Sequence, residues 1–210
     1  MIKGIIFDFD GTLIDTMDDF RILAGKLLHQ YYPQISVEEG EKLYIETSGI
    51  AFEKQIEIIM PNGKLNNEVV YEFETKKLDS RLDDGFHEEI RNVLMELNKK
   101  NYILAISSGN YPHVIEKILE KESIKFELIM GHKKNFEKGK AHFDYFIKKT
   151  GLKKDEILFI GDSIKDGQRS KASDIPFIAI EGIFKKERFI EEFGKDQIVI
   201  SHLFEIFNYL

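Results

Sequence analysis

Apolar residues gather in five short runs: Ile2 to Phe9, Tyr102 to Ile106, Phe126 to Met130, Ile157 to Ile160 and Ile175 to Ile180. Runs of this length, rich in Ile, Leu, Phe and Val and lacking strict polar alternation, predict parallel strands covered on both faces. Between the later runs the apolar positions recur at helical spacing, over Phe86 to Lys99, Tyr111 to Glu120, Ala141 to Thr150 and Ile164 to Ala172. Strand and helix therefore alternate from about residue 86 onward, which predicts an α/β fold with a doubly wound parallel sheet. Gly151 suits a helix stop and the Tyr111, Pro112 pair a helix start. The tail predicts a short strand, Ile198 to Ile200, capped by Ser201 into a last amphipathic helix.

The stretch from Asp15 to Asp84 breaks this alternation. It shows no comparable strand, and its apolar residues fall at helical spacing, as in Phe20, Leu23, Ala24, Leu27, Leu28 and in Phe52, Ile56, Ile59, Met60. A helical insertion over 15–84 is predicted, set into a sheet domain made of 1–14 plus 85–210. Pro33, the turn at Pro61, Asn62 and Gly63, and the turn at Asp83, Asp84 and Gly85 punctuate it.

Composition narrows the function classes. With 210 residues the chain can bury a full core, and with no cysteine it has no thiol nucleophile, thiolate metal site or disulfide. The formal net charge of −7, with Lys and Glu scattered, argues against nucleic acid or an anionic membrane as partner. The opening MIKGIIFDFD is interrupted by two acids too early for a signal peptide or a membrane span, so a cytoplasmic protein is expected. The 17 phenylalanines read as core packing, because no basic residues interleave with them.

The chemistry sits at the ends of the runs. The first ends in Asp8, Phe9, Asp10, Gly11, Thr12, with two carboxylates at the carboxyl end of a buried strand, the edge at which open α/β sheets bind ligands. Acids in an apolar strand need a cation to compensate them. The second run leads into Ser107, Ser108, Gly109, Asn110, where a hydroxyl and free amides can hold a phosphate oxygen. The fourth ends in Gly161, Asp162, Ser163, Ile164, Lys165, Asp166, with two acids one helical turn apart. Before the helix at Ala141 lie Lys138, Gly139 and Lys140, a basic spot able to reach the acids. Each cluster alone also reads as an ordinary turn or helix cap. Their recurrence at one edge of one sheet is what points to a site.

DFDGTLIDT, a strand-terminal Ser, a Lys and then IGDSIKD resemble the haloacid dehalogenase superfamily, in its phosphoglycolate-phosphatase-like branch. The resemblance spans the whole chain and places the helical insertion at the family's C1 cap position. It implies a Rossmann-like core and a Mg2+-dependent phosphatase acting on a small phosphorylated metabolite through an aspartyl phosphate. Asp8 would be the nucleophile, Asp10 the general acid and base, and Lys138 the cation on the phosphoryl group. Ser107, with Ser108, Gly109, Gly11 and Thr12 around it, would complete phosphate binding. Mg2+ would take Asp8, the Asp10 carbonyl and Asp162, with Asp166 acting through water. Gly49, in the run Glu46 to Phe52, is the candidate substrate contact of the cap. The acid at position 10 favours phosphoryl transfer over halide displacement, because a departing alcohol needs a proton.

Relatives in this branch usually carry proline after the third-motif lysine, whereas Lys138 and Lys140 here flank Gly139. Lys138 is preferred because a small residue follows it as the chain enters a helix buried by Phe143, Phe146 and Ile147. His113 and His142 lie near the second and third clusters and neither is assigned a role. A phosphomutase of the β-phosphoglucomutase type, or a non-catalytic phospholigand-binding domain, remains as an alternative, and both monomer and homodimer stay open.

Overall fold

The computed structural model describes residues 1–81 and 85–210, the side chains of 78–81 excepted. The expected turn at Asp83 and Asp84, and with it the expected 84/85 domain boundary, lies outside the described residues. The chain divides into two compact units, Met1–Ile14 with Asp84–Leu210, and Asp15–Asp83.

The first unit is built on six parallel strands: β1 (Gly4–Phe7), β2 (Ile103–Ser107), β3 (Leu128–Met130), β4 (Ile157–Gly161), β5 (Phe177–Ile180) and β6 (Val199–Ile200). They lie in the order β3-β2-β1-β4-β5-β6. β1 is central and buried along its whole length, which is why it carries no polar residue until it ends. In register, Phe7 faces Ile106 on β2 and Ile160 on β4.

The second unit holds α1 (Met17–Tyr31), α2 (Val37–Glu46), α3 (Phe52–Ile59) and α4 (Asn66–Arg81). The first two helices touch closely: a Cβ on Gly40 would stand 3.0 Å from the Gly25 Cα, so two glycines set the approach. Aromatic rings fill its centre, with Phe52 and Phe73 stacked at 3.8 Å and Phe20 edge-on to Phe73 at 6.0 Å. The Lys77 ammonium lies 4.9 Å from the Phe20 ring centre, a cation resting on an apolar face.

Among the described residues, five further helices belong to the sheet unit: α5 (Glu88–Lys99), α6 (Pro112–Leu119), α7 (Lys140–Thr150), α8 (Ile164–Ala172) and α9 (Lys186–Phe193). Pro112 occupies the first turn of α6, and Gly151 closes α7 in the left-handed conformation at φ 71°. Phe143 and Phe146 of α7 pack with Ile6, Ala105 and Phe159, so this helix covers the sheet face on which those strand residues point.

Two expectations are corrected. The first strand is shorter than the apolar run Ile2 to Phe9, because the Phe9 carbonyl accepts the N–H groups of Leu13 and Ile14 at 2.9 and 3.1 Å and folds the chain back. The last helix is a 3-10 segment, Leu203–Asn208, that starts after His202 instead of Ser201. Glu205 accepts both the Ser201 and His202 N–H groups there, and so short a segment does not repay an α-helical nucleus. Among the described residues no helix is long and apolar enough to cross a membrane.

Candidate active site

β1 delivers Asp8 at the point where the apolar strand ends, and the Asp8 N–H still donates to the Ile160 carbonyl at 2.8 Å, one rung beyond the strand. The carboxylate is therefore held by sheet geometry rather than by a loop. Asp162 follows directly on Gly161, the last residue of β4. One residue on, Ser163 caps α8: its Oγ accepts the Asp166 N–H at 3.1 Å and donates to Asp166 Oδ2 at 2.7 Å. Asp166 is thus fixed in a capping box with its other oxygen, Oδ1, presented inward.

Asp8, Asp162 and Asp166 are all buried, and one oxygen from each lies within 4.8 Å of the others. Lys138 bridges two of them, with its ammonium 2.7 Å from Asp8 Oδ1 and 2.6 Å from Asp166 Oδ1. Arg169, one turn along α8, stands 3.8 Å from Asp166 Oδ1 and is the only other cation paired with the cluster among the described residues. Lys140 is exposed and pairs instead with Asp144.

The imbalance of charge shifts the proton affinities of these groups. Burial pushes Asp8 up to about 7 against the pull of Lys138. Asp162 is raised well above the ordinary carboxylate range, by burial first and then by Asp8 and Asp166. Burial alone would lower the Lys138 ammonium, but Asp166 and Asp8 outweigh it and its pKa is raised. Three buried carboxylates facing one bridging lysine are short of positive charge, and hard oxygens crowded within reach of one point are the donor set a small divalent cation prefers.

The remaining expected residues sit as follows. Asp10, two residues past Asp8, is not one of the three clustered carboxylates; its Oδ2 accepts from Asn110 Nδ2 at 2.7 Å. Gly11 takes φ 74° in the turn, and Thr12 is buried with its Oγ1 unpaired. Ser107 Oγ lies 2.9 Å from His142 Nδ1, while Ser108 Oγ accepts the Asn110 N–H at 3.0 Å and Gly109 continues the turn. Gly49, at φ 84°, belongs to the α2–α3 connection of the helical unit. The carboxylate cluster lies wholly in the sheet unit.

Gly139 takes φ 111° at the start of α7, where the pyrrolidine ring of proline does not fit. That backbone explains why this chain departs from the Lys-Pro pattern. A Cβ there would also stand 2.8 Å from Arg169 Cδ.

Sequence reasoning missed three participants. His142 is fully buried beside Ser107, Asn110 anchors Asp10, and Ser163 sets Asp166. The signal for His142 was available: it shares the inward face of α7 with Phe143 and Phe146, one turn after Lys138.

Phosphoglycolate phosphatase of Aliivibrio fischeri is 24% identical over 184 residues, covering 82% of this chain and 81% of that protein. A predicted phosphatase from Clostridium acetobutylicum superposes with a TM-score of 0.76 at 19% identity, over 96% of this chain and 95% of that one. CbbY from Rhodobacter sphaeroides, crystallised with xylulose-(1,5)bisphosphate, superposes with a TM-score of 0.72 at 16% identity, over 98% and 96%. The family model of the haloacid dehalogenase-like hydrolases matches residues 5–180, from β1 through the last residue of β5, and this chain belongs to that family.

Proposed function

We propose that the protein is a Mg2+-dependent phosphatase that hydrolyses a small phosphorylated metabolite, a phosphomonoester, through an aspartyl phosphate on Asp8. The observation that carries this reading is Lys138 bridging Asp8 and Asp166 at the end of β1, with Asp10 two residues on. The relatives named phosphoglycolate phosphatase and the neighbour holding a sugar bisphosphate support a phosphoryl substrate.

In this reading an Asp8 oxygen attacks phosphorus and the bond from phosphorus to the ester oxygen breaks. Asp10 gives its proton to the departing alkoxide. The ionised Asp10 then takes a proton from water, whose oxygen attacks the phosphorus of the aspartyl phosphate and returns Asp8 as a carboxylate. Lys138 neutralises phosphoryl oxygens while charge shifts across them, and the turn after β2, with Ser107, Ser108 and Gly109, supplies hydroxyl and amide donors. Asp8, Asp162 and Asp166, with the Asp10 carbonyl, are the groups that would hold Mg2+. The ion would supply the positive charge that lets one anion approach another. Residues 15–84 serve as the C1 cap that sets substrate choice, Gly49 among them, in a cytoplasmic enzyme.

The test is hydrolysis of p-nitrophenyl phosphate with and without Mg2+, wild type beside Asp8→Asn. Metal-dependent release that disappears in the variant is the expected result. Undiminished turnover by Asp8→Asn, or none of any phosphoester by folded wild type with Mg2+, overturns the reading. Phosphate moved between two positions of one sugar, with no free phosphate released, identifies a mutase.

A further inference from the structure

α7 is entered by Lys138 and carries His142 one turn later, and the two side chains meet neighbouring strands at matching levels. Ile6 and Ala105 point to the face that α7 covers. Two residues on along each strand come Asp8 and Ser107, so alternation puts both on that same face, side by side. Lys138 meets Asp8 and His142 meets Ser107.

The His142 ring is fully buried, tilted against Phe136 at 4.5 Å between centres, and Phe136 is in turn braced edge-on by Tyr145 at 5.5 Å. Burial first, and the nearby Lys138 charge second, lower its pKa to about 3, and the carbonyls of Gly131 and Phe136 do not reverse that. The imidazole is therefore neutral, with one N–H and one lone pair. Nδ1 faces Ser107 Oγ at 2.9 Å, whereas Nε2 is buried without a hydrogen bond. The Gly131 and Phe136 carbonyls lie close enough to oppose the shift but do not meet Nε2 in hydrogen-bond geometry, so a proton there would lack an aligned acceptor and belongs on Nδ1.

We propose that His142 is a positioning residue: its Nδ1–H donates to Ser107 Oγ and fixes that hydroxyl with its own hydrogen aimed at a phosphoryl oxygen beside Asp8. A hydroxyl alone rotates freely among acceptors. One held by an incoming N–H keeps its remaining hydrogen for the substrate. The proposal rests on the phosphatase reading for the identity of the phosphoryl group, but the tautomer and the pairing do not depend on turnover.

Three measurements test it. The ring 15N shifts of His142 in the wild-type protein report the tautomer directly: Nδ1–H is expected and Nε2–H overturns the proposal. Steady-state kinetics and inhibition by inorganic phosphate are then compared for His142→Phe, His142→Asn and Ser107→Ala. His142→Phe is expected to lower kcat/KM and weaken phosphate inhibition about tenfold, the loss of one aligned hydrogen bond, while His142→Asn, which keeps a donor, recovers most of it. In a Ser107→Ala background His142→Phe should change neither quantity further. An equal loss in both backgrounds makes His142 merely structural and overturns the proposal. Should His142→Phe fail to fold, the wild-type tautomer and the Asn variant still decide. A wild type that turns over no phosphoester yet binds phosphate through this pair removes the phosphatase reading and leaves the proposal standing. One that binds no phosphate removes both.

Discussion

Asn110 donates its side-chain amide to Asp10 Oδ2 across 2.7 Å and 100 residues of sequence, tying the turn after β2 to the turn after β1. The same residue donates its backbone N–H to Ser108 Oγ and its carbonyl accepts the His132 N–H, so the turns after β1, β2 and β3 are laced through one asparagine. In a phosphatase, Asp10 must be aimed at the leaving oxygen, and a fixed amide restricts its rotation.

Asn110→Ala is accordingly expected to lower kcat by about tenfold to a hundredfold, with KM changed far less, since what is lost is alignment of a proton donor. Asn110→Asp should be worse, because it sets a second carboxylate against Asp10. Steady-state kinetics of the two variants check the order.

The two lysines that flank Gly139 separate cleanly. Lys138→Ala removes the buried cation that touches Asp8 and Asp166, and a loss of at least about a hundredfold in kcat/KM is expected. Lys140→Ala breaks only an exposed i,i+4 pair with Asp144 and should leave activity within about twofold. Similar losses in both would contradict the assignment of Lys138.

Asp8 and Asp162 make the metal-free protein less stable as pH rises. Asp8 keeps its proton in the folded chain up to about pH 7, whereas the unfolded chain loses it near 3.8. Between those values the native state binds more protons than the unfolded state, so this group's contribution falls with rising pH and levels off above about 7. Asp162 acts in the same direction. In chelator, Asp162→Asn is expected to melt above wild type at pH 8 and to lose that advantage toward pH 4; each kcal/mol is worth about 2–4 °C at this chain length. Mg2+ should raise the wild-type melting temperature and do little for the variant. Melting curves at the two pH values, with and without Mg2+, check both statements.

Gly139→Ala places a Cβ at φ 111° and 2.8 Å from Arg169 Cδ. Backbone strain of this kind costs about 1–3 kcal/mol, and here it falls on the peptide that leads from Lys138 into α7. A lower melting temperature together with a lower kcat is expected, and a neutral effect on both would show that the turn tolerates another conformation.

The strand-end acids were legible because they recur at the carboxyl ends of two buried parallel strands, as Asp8 and Asp162 do, although each alone also reads as a turn or cap. Helices α1 and α3 were legible from the helical spacing of Phe20 to Leu28 and of Phe52 to Ile59, together with the lack of a strand-like run between them. What escaped depends on distance in three dimensions. His142 sits at a core-facing position that its neighbours Phe143 and Phe146 announce, but a lone histidine says nothing of Ser107, 35 residues away. Lys138 was preferred over Lys140 because a small residue follows it, but its simultaneous pairing with Asp8 and Asp166 is visible only in three dimensions. The end of β1 at Phe7 follows from the backbone turn at Phe9, where the side-chain pattern still reads as strand.

The central place of β1 has a consequence for how the molecule is made. Gly4–Phe7 leaves the ribosome well before its neighbours in the sheet, Ile103–Ile106 and Ile157–Ile160. The strand that ends in Asp8 must wait until Ile157–Ile160 is synthesised before both its edges are paired. Meanwhile α1 and α2, joined by a short connection, can fold from local contacts alone. Assembly of the catalytic edge is thus among the latest events of folding, and a truncated or stalled chain holds helices but no enzyme.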